Sequence, residues 1–398
     1  MTQSPRLSRF AAQLDVPRTF VEVLGNQALD SIDLLGGNPP IEALPLAGFA
    51  EAVAEAASIA GAPAFQYSSP RGIPALVEQI AHLEGVGAER VVVTNGALHA
   101  LSLATLALVD PGDVVVVDDP VFPVFRRVLQ LADANVVPVP VDRDGLDVDR
   151  LEALLAEGLR PRLVYTVPDF QNPTGGSLSV PRREKLAELA RRYGFFVLWD
   201  NPYRRSRWAG EPLKDADPGD DVFLRIDTFS KSLGPGLRLG WIVVPESLVP
   251  AIIAVRSRTD QHPSTLIQTA VASLLADGGF ADITRALAAE LRVRAETLTS
   301  ELRARLGDAV TFHEPQGGFF LWARLNDPTL SVARLNELSS ARGTQFSRGT
   351  AFAVPGGRSH DEAMRLGFSS TRASDIPTAV ARLADAWGQL ADEGEHHG

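Results

Sequence analysis

Short runs of β-branched residues alternate with longer stretches of helical periodicity through the first two thirds of the chain. The predicted strands cover residues 90–94, 113–117, 136–139, 163–167, 195–199, 222–226 and 239–244. The predicted helices between them cover residues 98–108, 124–132, 148–156 and 182–192. Because parallel strands need a long crossover connection, usually a helix, this alternation predicts a mainly parallel seven-stranded sheet covered by helices. We therefore expect an α/β fold.

The pattern changes after Pro250, where residues 264–306 have helical periodicity and no strand signal. Predicted strands at 319–325, 345–346 and 365–369 and a helix at 376–390 follow. We predict a large domain over residues 45–275 and a smaller α+β C-terminal domain over residues 276–398. Residues 1–44 hold too few core positions to fold alone, so we expect them to pack on the small domain or on a partner subunit. The tail 393–398, with His396 and His397, is expected to be disordered rather than to bind metal.

The composition of the 398-residue chain excludes several kinds of site. Because the chain has no cysteine, it has no disulfide, thiolate metal site or cysteine nucleophile. A formal net charge of −11 disfavours general binding to nucleic acid, whose phosphates require a basic surface. The sequence has no signal-peptide pattern and no apolar run near the about 20 residues of a membrane helix. We expect a cytoplasmic protein that acts on small molecules and binds no metal.

Residues 228–238, Thr-Phe-Ser-Lys-Ser-Leu-Gly-Pro-Gly-Leu-Arg, carry the strongest chemical signal in the chain. Lys231 lies among hydroxyls and glycines, and Arg238 follows seven residues later. A lysine amine condenses with an aldehyde to form a Schiff base, while hydroxyls and a guanidinium can hold a phosphate. Pyridoxal phosphate carries both groups. The segment is therefore interpreted as an anchor for that cofactor, although a lysine among hydroxyls also describes other anion sites.

Several predicted strands end in residues suited to a ligand, at the sheet edge where ligands of open parallel sheets bind. Gly96 and Ala97 open a helix directly after the first strand, where free backbone N–H groups can bind a phosphate. Phe122 follows the second strand and either stacks on a planar cofactor or belongs to the core. Both readings of Phe122 stay open on position alone.

Two further strand ends carry an amide and a carboxylate. Asn172 lies in a loop dense in Pro and Gly and can donate to a phenolic oxygen. Asp200 ends the apolar run 195–199, where a carboxylate is costly without a cation or donor. A pyridinium nitrogen and a structural arginine are equal candidates for that partner. Tyr203 follows three residues later and is placed to hydrogen-bond the phenolic oxygen opposite Asn172.

The order and spacing of these residues resemble the class I/II aminotransferases of the fold-type I pyridoxal-phosphate superfamily. The matching blocks are Phe65-Gln66-Tyr67, Asn172-Pro173-Thr174-Gly175, Asp200-Asn201-Pro202-Tyr203 and the lysine segment. The resemblance is strongest to the branch with the 2-aminoadipate and aromatic aminotransferases, which is related to the aminotransferase half of the MocR regulators. It covers nearly the whole chain.

The resemblance implies a role for each matching residue. Lys231 forms the Schiff base and then moves the proton between the substrate α-carbon and the cofactor, while Asp200 pairs with the pyridine nitrogen. The other implied cofactor contacts are Asn172 and Tyr203 at the phenolic oxygen, Phe122 on the ring, and Thr228, Ser230, Arg238 and the Gly96-Ala97 backbone at the phosphate. Tyr67 reaches the phosphate of the neighbouring subunit, which implies a homodimer with shared active sites.

The resemblance also implies the substrate contacts. Arg365 matches the arginine that binds the substrate α-carboxylate, since a guanidinium can give a carboxylate two parallel hydrogen bonds. Gly37 matches the N-terminal glycine beside that carboxylate, and Asn172 is included in the substrate site. The side-chain pocket stays open, with candidate polar groups at Gln66, Arg71, His99, Arg204, Arg205 and Arg207, and solvated positions explain the arginines equally well.

The chain departs from the branch after Gly96, where a serine and glutamines are usual and this sequence has Ala97-Leu98-His99. His99 either replaces an amide or packs in the core.

The resemblance implies an aminotransferase that moves the amino group of an L-α-amino acid to a 2-oxo acid. A β-eliminating lyase such as a C–S lyase, or a decarboxylating deaminase, is the alternative, because the cofactor labilises any of three bonds at the α-carbon.

Overall fold

The computed structural model describes residues 31–59, 61–214, 221–276 and 278–395, together with Ser8 and Ala11. The other residues of the predicted N-terminal segment before position 31, and the His396-His397 pair, lie outside the described residues. The domain boundaries proposed from the sequence stay predictions.

The larger sheet has eight strands. They are β2 (Val91–Thr94), β3 (Val114–Asp119), β4 (Asn135–Asp142), β5 (Gly145–Leu146), β6 (Leu163–Thr166), β7 (Phe196–Asp200), β8 (Phe223–Thr228) and β9 (Gly240–Val243). Their order is β2-β9-β8-β7-β6-β3-β4-β5. The five strands from β8 to β4 are parallel, whereas β9 is antiparallel to both of its neighbours. The fold class is confirmed, and the strand missed by periodicity is the two-residue β5, which pairs with β4 at the edge.

Helices cover both faces of this sheet. Eleven helices lie in the described ranges, namely α1 (Leu46–Ile59), α2 (Pro74–Glu84), α3 (Ala97–Leu108), α4 (Pro123–Leu131), α5 (Val148–Ala156), α6 (Val180–Tyr193), α7 (Val249–Arg256), α8 (Thr265–Ala276), α9 (Phe280–Leu306), α10 (Val332–Ala341) and α11 (Ile376–Glu395). On β3, Val115 and Val117 belong to one core cluster and Val116 to another. Because successive strand residues point to opposite faces, both faces of this strand are buried.

The smaller sheet contains β1 (Ile32–Leu34), β10 (Val310–Phe312), β11 (Phe320–Leu325), β12 (Thr344–Arg348) and β13 (Ala363–Gly367). Its order is β1-β12-β13-β11-β10, and β1 pairs parallel with β12. The N-terminal strand thus lies in the same sheet as the C-terminal strands. The helical stretch 264–306 forms two helices, α8 and α9, with Gly278 and Gly279 between them.

No single helix in the described ranges is both long and apolar enough to cross a membrane. Two consecutive helical segments, Thr265–Ala276 and Phe280–Ala309, which meet at an angle of 89°, are together long and apolar enough to do so by length and composition only. Among the described residues, no group of three or more His, Asp or Glu side chains is arranged to hold a metal ion.

Candidate active site

The carboxyl ends of the parallel strands bring the predicted cofactor residues to one edge of the larger sheet. Asp200 is the last residue of β7, Thr228 ends the neighbouring β8, and Asn172 follows β6 in the loop after it. Because these three strands are adjacent and parallel, their ends lie side by side. The order of the parallel strands therefore suffices to bring these three side chains to one edge of the sheet.

Lys231 closes a short 3₁₀ turn, Phe229–Lys231, directly after β8. Its Nζ donates a hydrogen bond to the carbonyl oxygen of Gly37 at 2.7 Å, and it lies 5.8 Å from the ring centroid of Tyr203. Burial and the nearby charge of Arg365 lower the pKa of this amine to about 8, although the Asp200 carboxylate opposes them. About a tenth of Lys231 is thus neutral and nucleophilic at pH 7, far more than for an ordinary lysine.

Asp200 is a buried carboxylate with one satisfied oxygen. The Tyr165 hydroxyl donates to Oδ2 at 2.9 Å, whereas Oδ1 has no hydrogen-bond partner within the described part of the chain. Burial raises the pKa of Asp200 to about 7, and Asp227 adds to the rise, while the hydrogen bond from Tyr165 and the charge of Lys231 oppose it. An N–H donor carrying positive charge would satisfy Oδ1 and reverse this shift. A protonated pyridine nitrogen is such a donor.

A set of hydroxyls and backbone groups lies next to Lys231. The Thr228 hydroxyl is 2.9 Å from that of Ser230, and the Thr228 oxygen also accepts from the Ser230 N–H at 3.1 Å. Gly96, which caps the start of α3, has a φ of 80° and is the position that lets the chain turn there. A Cβ at Gly96 would lie 3.0 Å from Nη2 of Arg238. The helix start, the hydroxyls and an exposed guanidinium together suit a phosphate.

Arg365, on β13, connects the small sheet to this edge. Its Nη1 donates to Oδ1 of Asn172 at 2.8 Å, and its Nη2 donates to the carbonyl of Leu35 at 2.7 Å. The guanidinium carbon lies 4.1 Å from the ring centroid of Phe320 and 4.8 Å from that of Phe352. Burial lowers the pKa of Arg365 to about 10. Two rings thus hold a buried cation in place beside Asn172.

Tyr203 lies between these groups. It is 4% exposed. Burial raises the pKa of its hydroxyl well above the ordinary value, although the charge of Arg365 and the neighbouring side chain of Asn172 oppose the rise. The predicted Asn172, Tyr203 and Lys231 therefore lie near one another and near Arg365.

A model of the family described as aminotransferase class I and II matches residues 32–383. The chain belongs to this family.

Relatives and solved structures agree with this family. Aromatic-amino-acid aminotransferase 1 of Thermococcus litoralis is 31% identical over 369 residues, which is 89% of this chain and 88% of that protein. The 2-aminoadipate transaminase of Thermus thermophilus is 29% identical over 360 residues, 89% of each chain. An α-aminoadipate aminotransferase from Thermus thermophilus, solved with N-(5'-phosphopyridoxyl)-L-leucine, has a TM-score of 0.89 at 27% identity, covering 97% of this chain and 98% of that one.

The aminotransferase has the fold-type I architecture and uses pyridoxal phosphate to move the amino group of an amino acid to a 2-oxo acid. These relatives are named aminotransferases, and no observation favours the β-eliminating or decarboxylating alternative. The residues present fit the cofactor, since Asp200 has an unsatisfied buried oxygen and Gly96 leaves room at the start of α3.

His99 of the aminotransferase lies at the start of α3. Its Nδ1 accepts a hydrogen bond from the backbone N–H of Asn95 at 3.2 Å and lies 3.5 Å from Oδ2 of Asp260. Burial lowers the pKa of His99, which favours the neutral ring that this acceptor role requires, although Asp260 opposes the shift. A side chain at the third helical position that accepts from a backbone N–H before the helix acts as a cap. His99 therefore caps the N-terminus of α3 through this hydrogen bond and is not only a packed core residue.

Three of the four arginines proposed for the side-chain pocket are engaged in ion pairs. Arg204 and Arg205 both pair with Glu84 and with Asp227. Burial penalises the charged form of Glu84, but these arginines outweigh that penalty and lower its pKa. In a separate pair, Arg207 lies 3.1 Å from Asp169. These three arginines are mostly buried in ion pairs around the loop after Tyr203, so they are not at the solvated positions that the sequence left open as the alternative.

Two predicted cofactor residues are placed by contacts other than those just described. Tyr67 is 86% exposed, and among the described residues its ring packs edge-on against His262, with centroids 5.9 Å apart. Phe122 is half-buried and packs against the main core cluster while directly preceding α4. Their roles toward the cofactor stay predictions.

Sequence reasoning missed three residues that the structure places at the site. Tyr165 holds the carboxylate of Asp200, and the rings of Phe320 and Phe352 enclose Arg365. A hydroxyl inside an otherwise apolar strand, β6, was the available signal for Tyr165. No signal was available for the two rings, because the contact depends on the register of β11 with β13 and on the segment after β12.

Proposed function

We propose that Lys231 is the catalytic base of this aminotransferase and that Arg365 binds the α-carboxylate of its amino acid substrate. The placement of Lys231 carries the proposal. Its amine lies 2.7 Å from the Gly37 carbonyl, and burial and Arg365 lower its pKa to about 8. An amine that can both take up and release a proton near neutral pH is suited to general base and acid catalysis.

The cofactor would be held by the groups described at the sheet edge. Thr228, Ser230, Arg238 and the backbone at Gly96 and Ala97 would bind the phosphate, and Phe122 would face the ring. Asn172 and Tyr203 would hydrogen-bond the phenolic oxygen, and Oδ1 of Asp200 would accept from the pyridine nitrogen. When bound, pyridoxal phosphate forms a covalent bond with an amine and withdraws electrons from the α-carbon of the substrate.

The chain itself orients the substrate and moves the proton. Arg365 would give a carboxylate two hydrogen bonds, and Phe320 and Phe352 fix the plane of its guanidinium. Lys231 would take the proton from the substrate α-carbon and return it at the neighbouring carbon of the cofactor. Ionised Asp200 would stabilise positive charge on the ring nitrogen, which makes loss of that proton easier.

We infer a substrate among the aromatic amino acids or 2-aminoadipate, together with a 2-oxo acid acceptor. The support is that relatives named for these substrates align over 89% of the chain. Arg204, Arg205 and Arg207 are engaged in ion pairs, so they are poor candidates for binding a substrate side chain.

The test is to add a panel of L-amino acids to the purified protein and identify the products. Formation of the matching 2-oxo acid with one equivalent of pyridoxamine phosphate supports the proposal. Release of ammonia together with pyruvate or an aldehyde would contradict it. Lys231→Ala serves as the control and should form no product, while Arg365→Ala should raise KM for the amino acid.

We also propose that the aminotransferase is a homodimer in which Tyr67 completes the site of the partner subunit. Tyr67 is 86% exposed, and Phe65, Ile41 and Leu46 are 67%, 72% and 64% exposed. Large apolar side chains exposed this far are characteristic of a surface that a second copy covers.

Mixing Lys231→Ala with Tyr67→Phe subunits tests the shared site. A mixed dimer has one site with both an intact Lys231 and an intact Tyr67 from the other subunit, so activity should exceed the sum of the two parents. If each subunit uses its own Tyr67, mixing will restore nothing.

A further inference from the structure

The segment between β12 and β13 is fastened to the end of β3. The Val121 N–H donates to the carbonyl of Phe352 at 2.9 Å, and the Arg126 guanidinium donates to the carbonyl of Ala353. Residues 349–360 join β12 to β13, which are strands of the smaller sheet, whereas β3 lies in the larger sheet. These hydrogen bonds therefore connect the two sheets.

Asp119, the last residue of β3, makes two further hydrogen bonds of this connection. Its Oδ1 lies 3.0 Å from Nε2 of His360, and its Oδ2 accepts from the backbone N–H of Arg358 at 2.9 Å. Asp119 and His360 are each 2% exposed. A Cβ at Gly357 would lie 2.5 Å from Oδ2, so only glycine lets the segment approach this closely. Both carboxylate oxygens are thus engaged by one segment.

Each end of this connection leads to a residue proposed for the active site. Phe122, the proposed ring contact, follows Asp119 by three residues. Phe352 packs on the guanidinium of Arg365 and, edge-on, against Trp322, which also contacts the ring of His360. The position of Phe352 relative to the end of β3 therefore sets where Arg365 is held relative to the cofactor.

We infer that Asp119 and His360 are positioning residues for substrate binding. Their hydrogen bond fixes the segment that carries Phe352, and Phe352 in turn fixes Arg365 at the distance from the cofactor that an amino acid requires. This inference rests on the proposed role of Arg365 and adds to it a buried pair that touches neither the substrate nor the cofactor. A group that acts only through Arg365 should affect amino acid binding and leave cofactor binding unchanged.

Two variants of the full holoenzyme test the inference. His360→Phe keeps an aromatic ring against Trp322 and removes Nε2, and Asp119→Leu keeps the branched shape of the side chain and removes both acceptor oxygens. Each should raise KM for the amino acid roughly tenfold, since loss of a buried hydrogen bond has an effect of this order. We expect kcat, the affinity for pyridoxal phosphate and the absorbance of the bound cofactor to change little.

The double variant measures the coupling. If both residues act through one hydrogen bond, the double variant should raise KM by about the same roughly tenfold factor and not by about a hundredfold. Amide hydrogen exchange provides a second readout, because the N–H groups of Val121 and Arg358 should exchange faster in both single variants. Leu383→Ala, a buried change on α11 distant in sequence from the segment, controls for loss of stability alone.

The outcomes separate this inference from the proposed function. If Arg365→Ala raises KM and the His360 and Asp119 variants do not, the positioning role is wrong while the role of Arg365 stands. If Arg365→Ala leaves KM unchanged, the proposed carboxylate site itself is wrong. A fall in cofactor affinity equal to the rise in KM, or a matching rise in KM for Leu383→Ala, would show a merely structural role.

Discussion

Asp200→Asn should stabilise the cofactor-free protein at pH 8 far more than at pH 5. The carboxylate is 4% exposed, and burial raises its pKa from the ordinary 3.8 to about 7. Asparagine has nearly the same shape and no charge to bury. The substitution therefore removes a charge whose desolvation the hydrogen bond from Tyr165 and the charge of Lys231 offset only in part.

The magnitude follows from proton linkage. Between pH 3.8 and pH 7 the folded protein keeps a proton on Asp200 that the unfolded chain has lost. Folded stability then falls by about 1.4 kcal/mol for each pH unit as the pH rises, and stays at the lower level above pH 7. From pH 5 to pH 8 this group costs the wild type about 3 kcal/mol, and the asparagine variant is spared that loss.

Urea unfolding of both cofactor-free proteins at pH 5 and pH 8 measures this difference. The stability of the variant relative to the wild type should rise by about 3 kcal/mol between the two pH values. Added pyridoxal phosphate should stabilise the wild type at pH 8 and stabilise the variant much less. A pH-independent difference between the two proteins would refute the reasoning, because Asp200 would then ionise as an ordinary surface carboxylate does.

Three further predictions concern the same site. The rate at which pyridoxal phosphate attaches to the cofactor-free protein should rise as the pH passes about 8 and not about 10.5, because the neutral amine of Lys231 is the nucleophile; stopped-flow absorbance measures this rate. His99→Ala should weaken cofactor binding roughly five- to tenfold through loss of about 1 kcal/mol from the Asn95 cap, whereas His99→Gln should keep it, as a fluorescence titration would show. Gly37→Ala should cost about 1–3 kcal/mol of stability, because its Cβ would lie 2.5 Å from Cζ of Phe320; a normal urea midpoint would contradict that contact.

The larger sheet was predictable because its signals are local. Most of its strands are short runs rich in apolar residues, many of them β-branched, and the crossover rule orders the helices around them. The antiparallel direction of β9 and its place between β2 and β8 could not be derived in this way. Its residues, Gly-Trp-Ile-Val, are as buried as those of a parallel strand, so periodicity cannot reveal the direction.

The cofactor side of the site was predictable for a related reason. Asn172, Asp200 and Thr228 each follow a strand, so the sheet itself brings them together. The substrate side depends on contacts between distant segments. Arg365 meets Asn172 across 193 positions and Leu35 across 330, and no spacing rule predicts such pairs.

Burial acts against the ordinary charged state of three site residues. It raises the pKa of Asp200 to about 7, and it lowers that of Lys231 to about 8 and that of Arg365 to about 10. At Asp200 and Arg365 the shift disfavours a charge that a ligand would balance, namely a protonated ring nitrogen and a carboxylate. At Lys231 the shift favours the neutral amine, which is the form that condenses with an aldehyde. Burial of these groups lowers the free energy of unfolding of the cofactor-free protein. A ligand that balances the buried charges or reacts with the neutral amine removes this cost, so the same free energy strengthens its binding. The burial that destabilises the apoprotein therefore also raises the affinity of the site for cofactor and substrate. Variants that stabilise the apoprotein at these three positions should be the ones that bind cofactor or substrate most weakly.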